Sequence, residues 1–340
     1  MENKIEVTVL MTAYNASKYI SESIKSVLNQ TFKNFELLII NDGSTDNTSL
    51  IAHSFNDERI RIIENDRNRG LIYSRNIALK EANGNYIAIL DSDDLALPNR
   101  LMTQFKAFQN NSALAVVGSR ALIINEKGIR TGEKLDVFSE INKIRVTLFF
   151  ENTIVHSSAM IRTKVFREVN GYQGDSLIED YDLFFRISTL YPIENLTEYL
   201  VEYRIHDTNI SIKKRKELDE ALLKLKRKQL LELGVQSNDE DIHMILNNFK
   251  DATLTLDKCF KLLCTLKNSN NQFLIYDKTS FNIALFERWY NLVLQKGHVK
   301  SILFLFRLPL FEWRIVTAKQ IRKTFKRSLK SILATSKIKS

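Results

Sequence analysis

The stretch YIAILDSDDLALPNR, residues 86 to 100, opens with five residues, Tyr86 to Leu90, that read as a buried strand. It then delivers three carboxylates almost at once, at Asp91, Asp93 and Asp94. Ionised carboxylates this close repel one another, and burying one without a partner is costly. A positive species is therefore expected at the carboxyl end of this strand. Asp91 and Asp93 lie two residues apart, so extended backbone directs both side chains to one side. Such a pair suits a hard divalent cation that also binds phosphate oxygens, since Mg²⁺ or Mn²⁺ takes one or two carboxylates together with phosphate and water. Asp94 is expected to favour the start of the following helix through its dipole.

Working outward, residues 5 to about 125 alternate short apolar runs with helical periodicity. The runs 5–11 (IEVTVLM), 35–40 (FELLII), 60–63 (IRII), 86–90 and 114–118 (LAVVG) read as strands. Between them, 17–30, 46–55, 72–83 and 98–110 read as helices. In the first, Ile20, Ile24, Val27 and Leu28 share a face, and Ser17 is placed to cap it. Pro98 suits the start of the fourth, where its missing N–H costs nothing. This alternation predicts βαβ units and a mainly parallel sheet. Ligands of such sheets bind at the carboxyl ends of strands. The notable residues fall there: Thr12 to Asn15 after the first strand, Asn41 to Ser44 after the second, Asp91 to Asp94 after the fourth. In IINDGSTDNT (39–48), Gly43 permits a tight turn and Ser44 or Thr45 can cap the next helix. The turn has no need of Asp42, whose carboxylate can accept an N–H from a nucleotide base.

Residues 120–212 are mixed. EKGIR (126–130) reads as a hairpin turn, SSAMIRT (157–163) as a strand, and IEDYDLFFRIST (178–189) as an amphipathic helix with Leu183, Phe184 and Ile187 inward. Glu179 and Asp180 open that helix, where acids favour the dipole. Beside a metal-diphosphate site such a pair can also supply a base for an attacking hydroxyl. Beyond KKRK (213–216) strand signals fade and helical patterns take over. The expected division is a 1–212 α/β domain followed by a helical, basic region, 213–340.

The bulk properties agree. A chain of 340 residues, 44% hydrophobic and 26% charged, is that of a globular protein with ample core. The net charge of +9 is uneven: residues from Lys213 onward hold 26 Lys and Arg against 12 Asp and Glu, while 1–212 hold 23 against 28. Cys259 and Cys264 lie five apart with no paired motif, as expected of free thiols in a reducing compartment. The start, MENKIEVTVLMTAYN, reads as neither signal peptide nor anchor. The longest apolar tract, SILFLF with LPLF, is interrupted by Arg307 and Pro309, so no membrane span is expected.

Five segments, taken in order, resemble the inverting glycosyltransferases of family 2. They are residues 7–48, residues 66–94 (DRNRGLIYSRNIALKEANGNYIAILDSDD), HSSAMIRTKVFREVNGY (156–172), IEDYDLFFR (178–186) and YRIHDTNIS (203–211). The resemblance covers roughly residues 5–212 and implies the GT-A fold, an α/β, Rossmann-like nucleotide-sugar-binding domain. It implies that Thr12, Ala13, Tyr14 and Asn15 line the nucleotide pocket, that Asp42 binds the base, and that Arg75 lies near the diphosphate. Asp91 and Ser92 would approach the donor, with Asp91, Asp93 and His206 about an Mn²⁺ or Mg²⁺ ion. Asp180 would be the catalytic base with Glu179 beside it, and His156 would face the acceptor. The Q-x-x-R-W motif and membrane spans of the processive polymerases are missing, so one sugar per visit is expected.

The expected chemistry is attack by an acceptor hydroxyl on the anomeric carbon, opposite the leaving diphosphate, with Asp180 taking the proton. The donor is a nucleotide-sugar, by family habit a UDP-sugar, and the acceptor a saccharide or lipid-linked oligosaccharide. From Lys296 onward twelve Lys and Arg meet a single acid, Glu312, among Phe304, Phe306, Phe311, Trp313 and Phe325. That composition reads as a membrane-surface element, and predicts a cytoplasmic protein peripheral to an anionic inner membrane face. Packing of the same helices on the catalytic domain is the other reading. A nucleic-acid partner is disfavoured by the acidic first two-thirds and the missing motifs. A nucleotidyltransferase would need a Gly-rich basic loop where MTAYNASKY stands. An inert sugar-nucleotide-binding scaffold is the remaining alternative, and intact Asp91, Asp93 and Asp180 weigh against it.

Overall fold

The computed structural model describes residues 5–137, 139–206, 215–249, 254–296 and 301–337. Four strands form its parallel half: β1 (Val7–Ala13), β2 (Phe35–Asn41), β3 (Ile60–Glu64) and β4 (Tyr86–Ile89), with Val7 registered against both Phe35 and Tyr86. Every residue of β1, β2 and β4 is buried, as continuous apolar runs covered on both faces should be. The crossovers are α1 (Ile20–Leu28), α2 (Thr48–His53) and α3 (Leu71–Glu81), while α4 (Arg100–Asn110) follows the aspartate turn. Ile20, Ile24 and Val27 of α1 and Leu101 and Phe108 of α4 enter one core with Val9, Met11 and Leu37.

The sheet continues through β5 (Leu95–Ala96), β6 (Val116–Ile124), β7 (Arg130–Leu135), β8 (Met160–Arg162) and β9 (Ile193–Arg204), in the order β3-β2-β1-β4-β8-β6-β9-β5, with β7 on β6. β6 and β9 are parallel; β8 runs against both β4 and β6. The remaining helices of this half are α5 (Ile141–Phe150), α6 (Thr163–Glu168) and α7 (Glu179–Leu190). The hairpin at 126–130 forms as expected, with Asn125 Oδ1 accepting from Lys127 and Ile129 N–H and Gly128 at φ +74°.

Several local expectations differ. Ser17 does not cap α1, which begins at Ile20; its N–H donates to Asp46 Oδ2 at 3.1 Å. α2 begins at Thr48, whose N–H donates to Asp46 Oδ1, while Ser44 and Thr45 bond to Asn41 and Asn15 instead. The strand expected at 157–163 shrinks to Met160–Arg162 between a 3-10 turn at His156–Ser158 and α6. β9 was not expected, because its polar positions Glu194, Asn195, Thr197 and Glu198 and a register shift opposite Ser119–Ala121 break the alternation.

The chain divides into two compact units, Met1–Leu148 with Asn152–Ala221, and Phe149–Glu151 with Leu222–Ser340. The boundary expected near 212 lies outside the described residues. The second unit holds most of α8 (Arg215–Glu232), then α9 (Asp239–Leu246), α10 (Leu256–Phe273), α11 (Lys278–Lys296), α12 (Ser301–Leu305) and α13 (Ala318–Lys337). Trp289 of α11 is fully buried, its indole N–H donating to the Phe304 carbonyl at 3.0 Å. Among the described residues no helix is long and apolar enough to cross a membrane.

Candidate active site

The carboxyl ends of β1, β2 and β4 converge, and hydrogen bonds between their loops fix the geometry. Thr12 and Ala13 are buried at the end of β1, and Tyr14 follows, half exposed. Asn15 takes φ +50°; its N–H donates to Ser44 Oγ and its Oδ1 accepts from Thr45 N–H, both at 2.9 Å. The loops after β1 and β2 are thereby joined. Asp42 is buried and its carboxylate accepts from Asn65 Nδ2 at 2.7 Å and from the N–H groups of Arg69 and Gly70 at 2.9 Å. It thus holds the segment entering α3. Gly43, at φ +66°, stands so close to that segment that a Cβ would lie 2.3 Å from the Arg67 carbonyl carbon.

At the end of β4 the aspartates separate into three environments. Asp91 Oδ1 accepts from Arg75 Nη2 at 3.0 Å, and Oδ2 from Ser157 Oγ at 2.9 Å and His156 Nδ1 at 3.2 Å. With Nδ1 donating, the other ring nitrogen accepts from Tyr172 O–H at 2.9 Å. Burial opposes the charge on Asp91, yet His156 and Arg75 hold its carboxyl well below the usual range. Asp93 is paired with His206, Oδ2 to Nε2 at 2.9 Å, and the imidazole stacks on Tyr19. Burial and then the charge of Asp91 push the Asp93 carboxyl upward. Asp94 is not at a helix start. It is buried ahead of β5 and accepts the Arg204 N–H at 2.8 Å, and burial with the neighbouring carboxylates raises it well above the usual range. Arg204 also donates through Nε to the Asp93 carbonyl and through Nη2 to Glu22, each at 2.7 Å. The turn is closed on its other side by Ser23 Oγ, which donates to the Ser92 carbonyl at 2.9 Å.

The second acidic motif meets the first through Arg75. This guanidinium, on α3 and 4% exposed, ion-pairs with both Asp91 and Glu179 and lies over the Tyr172 ring. Burial disfavours its charge, but Asp91, Tyr172 and Glu179 together hold it above its ordinary value. Burial pushes the Glu179 carboxyl up to about 7 in spite of Arg75. Asp180, next along the first turn of α7, accepts from Asn152 Nδ2 at 3.0 Å.

The residue types suit a divalent cation. Asp93 offers a carboxylate, the oxygen donor that Mn²⁺ and Mg²⁺ take, and His206 places an imidazole nitrogen beside it. Among the described residues no three His, Cys, Asp or Glu side chains converge as a metal cluster. Asp91, also expected at the ion, has both oxygens engaged by Arg75, His156 and Ser157.

Among the contributors that escaped the sequence reading are four that hold the acidic residues. Ser157 and Tyr172 hold Asp91 and His156, Arg204 holds the aspartate turn, and Asn152 holds Asp180. The first three lie inside quoted motifs, HSS, NGY and YRIH, so the signal was present. Asn152, in ENTIV, carries none.

Residues 8–169 match the family described as Glycosyl transferase family 2. The O-antigen biosynthesis glycosyltransferase WbnJ of Escherichia coli is 36% identical over 208 residues, 59% of this chain and 80% of WbnJ. S. aureus TarS 1-349, solved with UDP-GlcNAc, superposes with a TM-score of 0.56 at 17% identity, covering 96% of this chain and 89% of that one. The mannosyltransferase PcManGT of Pyrobaculum calidifontis, solved with GDP-Man and Mn²⁺, gives 0.51 at 14% identity, covering 95% and 87%. At these identities the likeness of this chain to the two solved structures is one of fold.

Proposed function

The chain belongs to glycosyltransferase family 2, with the GT-A fold, and on that premise we propose that it moves a single hexose or N-acetylhexosamine from a UDP-sugar to a saccharide or lipid-linked acceptor, inverting the anomeric centre, in cell-surface polysaccharide assembly. The observation that carries this reading is the double ion pair of Arg75. It ties Asp91, at the donor end of the sheet, to Glu179, the neighbour of Asp180. Acidic motifs nearly ninety residues apart thus become one site.

In this reading the loops at Thr12–Asn15 and Asp42 receive the nucleotide, with Tyr14 half exposed toward it and Asp42 shaping the pocket through Asn65, Arg69 and Gly70. Arg75 lies behind the diphosphate, and Asp91, oriented by His156 and Ser157, faces the donor with Ser92. Asp93 and His206 would hold Mn²⁺ or Mg²⁺, which when bound supplies positive charge against a departing diphosphate. Asp180, steadied by Asn152, takes the proton of the acceptor hydroxyl as it attacks the anomeric carbon. The C1–O bond to the diphosphate breaks as the new glycosidic bond forms, and one displacement inverts the configuration. Glu179 stays paired with Arg75 and keeps the two halves in register.

Incubating the purified protein with a panel of UDP-sugars, Mn²⁺ or Mg²⁺ and simple saccharide acceptors tests the reading. Release of UDP with one donor, coupled to a product of inverted linkage, is expected. Turnover of GDP-sugars alone, or retention of configuration, would overturn the donor or the mechanism respectively.

A further inference from the structure

The last described helix, α13, turns Phe325 and Leu329 outward. Its packed row is small and polar: Thr324 and Ser328 are buried, and Ser328 Oγ accepts the Ile302 N–H at 3.3 Å. One residue further around, Phe325 and Leu329 are 55% and 45% exposed. The next row holds Arg322, Lys326 and Lys330, all exposed. Consecutive residues on a helix stand about 100° apart, so these are three adjoining rows at i, i+4 spacing. A helix selected only to pack would bury the phenylalanine and leucine. Trp313, ahead of it, contacts Phe311 and Phe306 yet is 72% exposed. After Trp313 the sequence has nine Lys and Arg and no acid.

We propose that α13 and Trp313 form a docking surface for an anionic lipid bilayer, with Phe325, Leu329 and Trp313 entering the interface and Arg322, Lys326 and Lys330 meeting the headgroups. Charge complementarity selects this occupant: a cationic row without any acid flanks the apolar one, and long basic side chains can bury their stems while reaching the headgroups. Tryptophan favours the boundary between headgroups and acyl chains. The inference does not depend on the catalytic reading.

The chain carries two tryptophans, Trp289 fully buried and Trp313 exposed, so intrinsic fluorescence reports the surface directly. Adding vesicles of phosphatidylcholine with about one third anionic phosphatidylglycerol to the full chain should shift the emission to the blue and sediment the protein. Pure phosphatidylcholine should do both far more weakly, since only the apolar contribution remains there. The Trp313→Phe chain should still sediment but lose the shift. Replacing Arg322, Lys326 and Lys330 by Ser should weaken binding roughly a hundredfold, since each cation near the surface is worth about fivefold. Phe325→Ser with Leu329→Ser should remove the part of binding that survives high salt. All six positions are exposed, and an unchanged circular dichroism spectrum verifies folding. Equal binding to neutral vesicles, no binding to anionic ones, or a shift produced by duplex DNA and not by vesicles would overturn the proposal.

Discussion

Glu179 and Asp180 are adjacent in the chain, yet their carboxylates face different partners: Glu179 is buried against Arg75, and Asp180 is half-buried against Asn152, 3.0 Å away. The cause is helical geometry. Successive residues in the first turn of α7 point about 100° apart, so one acid reaches the interior and the other the open side of the site. Their chemistry divides accordingly.

Asp180→Asn should keep donor affinity within a few-fold and lose transfer by roughly 10²–10⁴, the usual contribution of a general base. Asn152→Ala should lower kcat by a smaller factor with KM for the donor unchanged, because it frees the carboxylate without removing it. Donor affinity measured by calorimetry decides the matter: its collapse in the Asp180 variant would place that residue in the nucleotide site.

Asp93→Ala and His206→Ala should each raise the divalent-ion concentration needed for half-maximal turnover, the aspartate more steeply. Excess chelator should abolish turnover of the unaltered protein. Full activity in chelator would refute the assignment of a metal to this pair.

Glu179 gives a stability signature in pH. Its folded value, about 7, lies above the ordinary 4.5, so between these values the native state binds more protons than the unfolded one. Stability from this group is therefore fully present below pH 4.5 and lost as pH rises through 7. Denaturant titrations at pH 4.5 and pH 7.5 should show the unaltered protein losing up to about 3 kcal/mol more than Glu179→Gln across that window. Equal losses would mean that Arg75 keeps the carboxylate ionised throughout.

Arg204→Lys should destabilise the fold by about 1–3 kcal/mol and weaken donor binding. One ammonium cannot serve the Asp93 carbonyl and Glu22 in the geometry of the guanidinium. Equilibrium unfolding checks the first effect and donor titration the second. A variant as stable as the parent would show that the backbone bond from Arg204 N–H to Asp94 is enough to hold the turn.

By itself the sequence determined the parallel half of the sheet and the carboxyl ends that carry the site, because uninterrupted apolar runs such as Phe35–Ile40 and Tyr86–Leu90 have one stable place, a strand covered on both faces. It also determined the ordered motifs within residues 8–169 that match family 2. The mixed half was less legible: β9 takes its place from pairing with β6, while of its polar residues Thr197 and Glu198 are exposed and buried Asn195 donates to the Thr153 carbonyl. Tertiary structure alone decided how the charges pair. That Asp91, Asp93 and Asp94 would go respectively to Arg75, His206 and the backbone of Arg204 could not be read locally, since those partners lie 16, 113 and 110 residues away. Electrostatic pairing depends on separation in space and on burial. Spacing along the chain announces the carboxylates, and folding chooses what neutralises each of them.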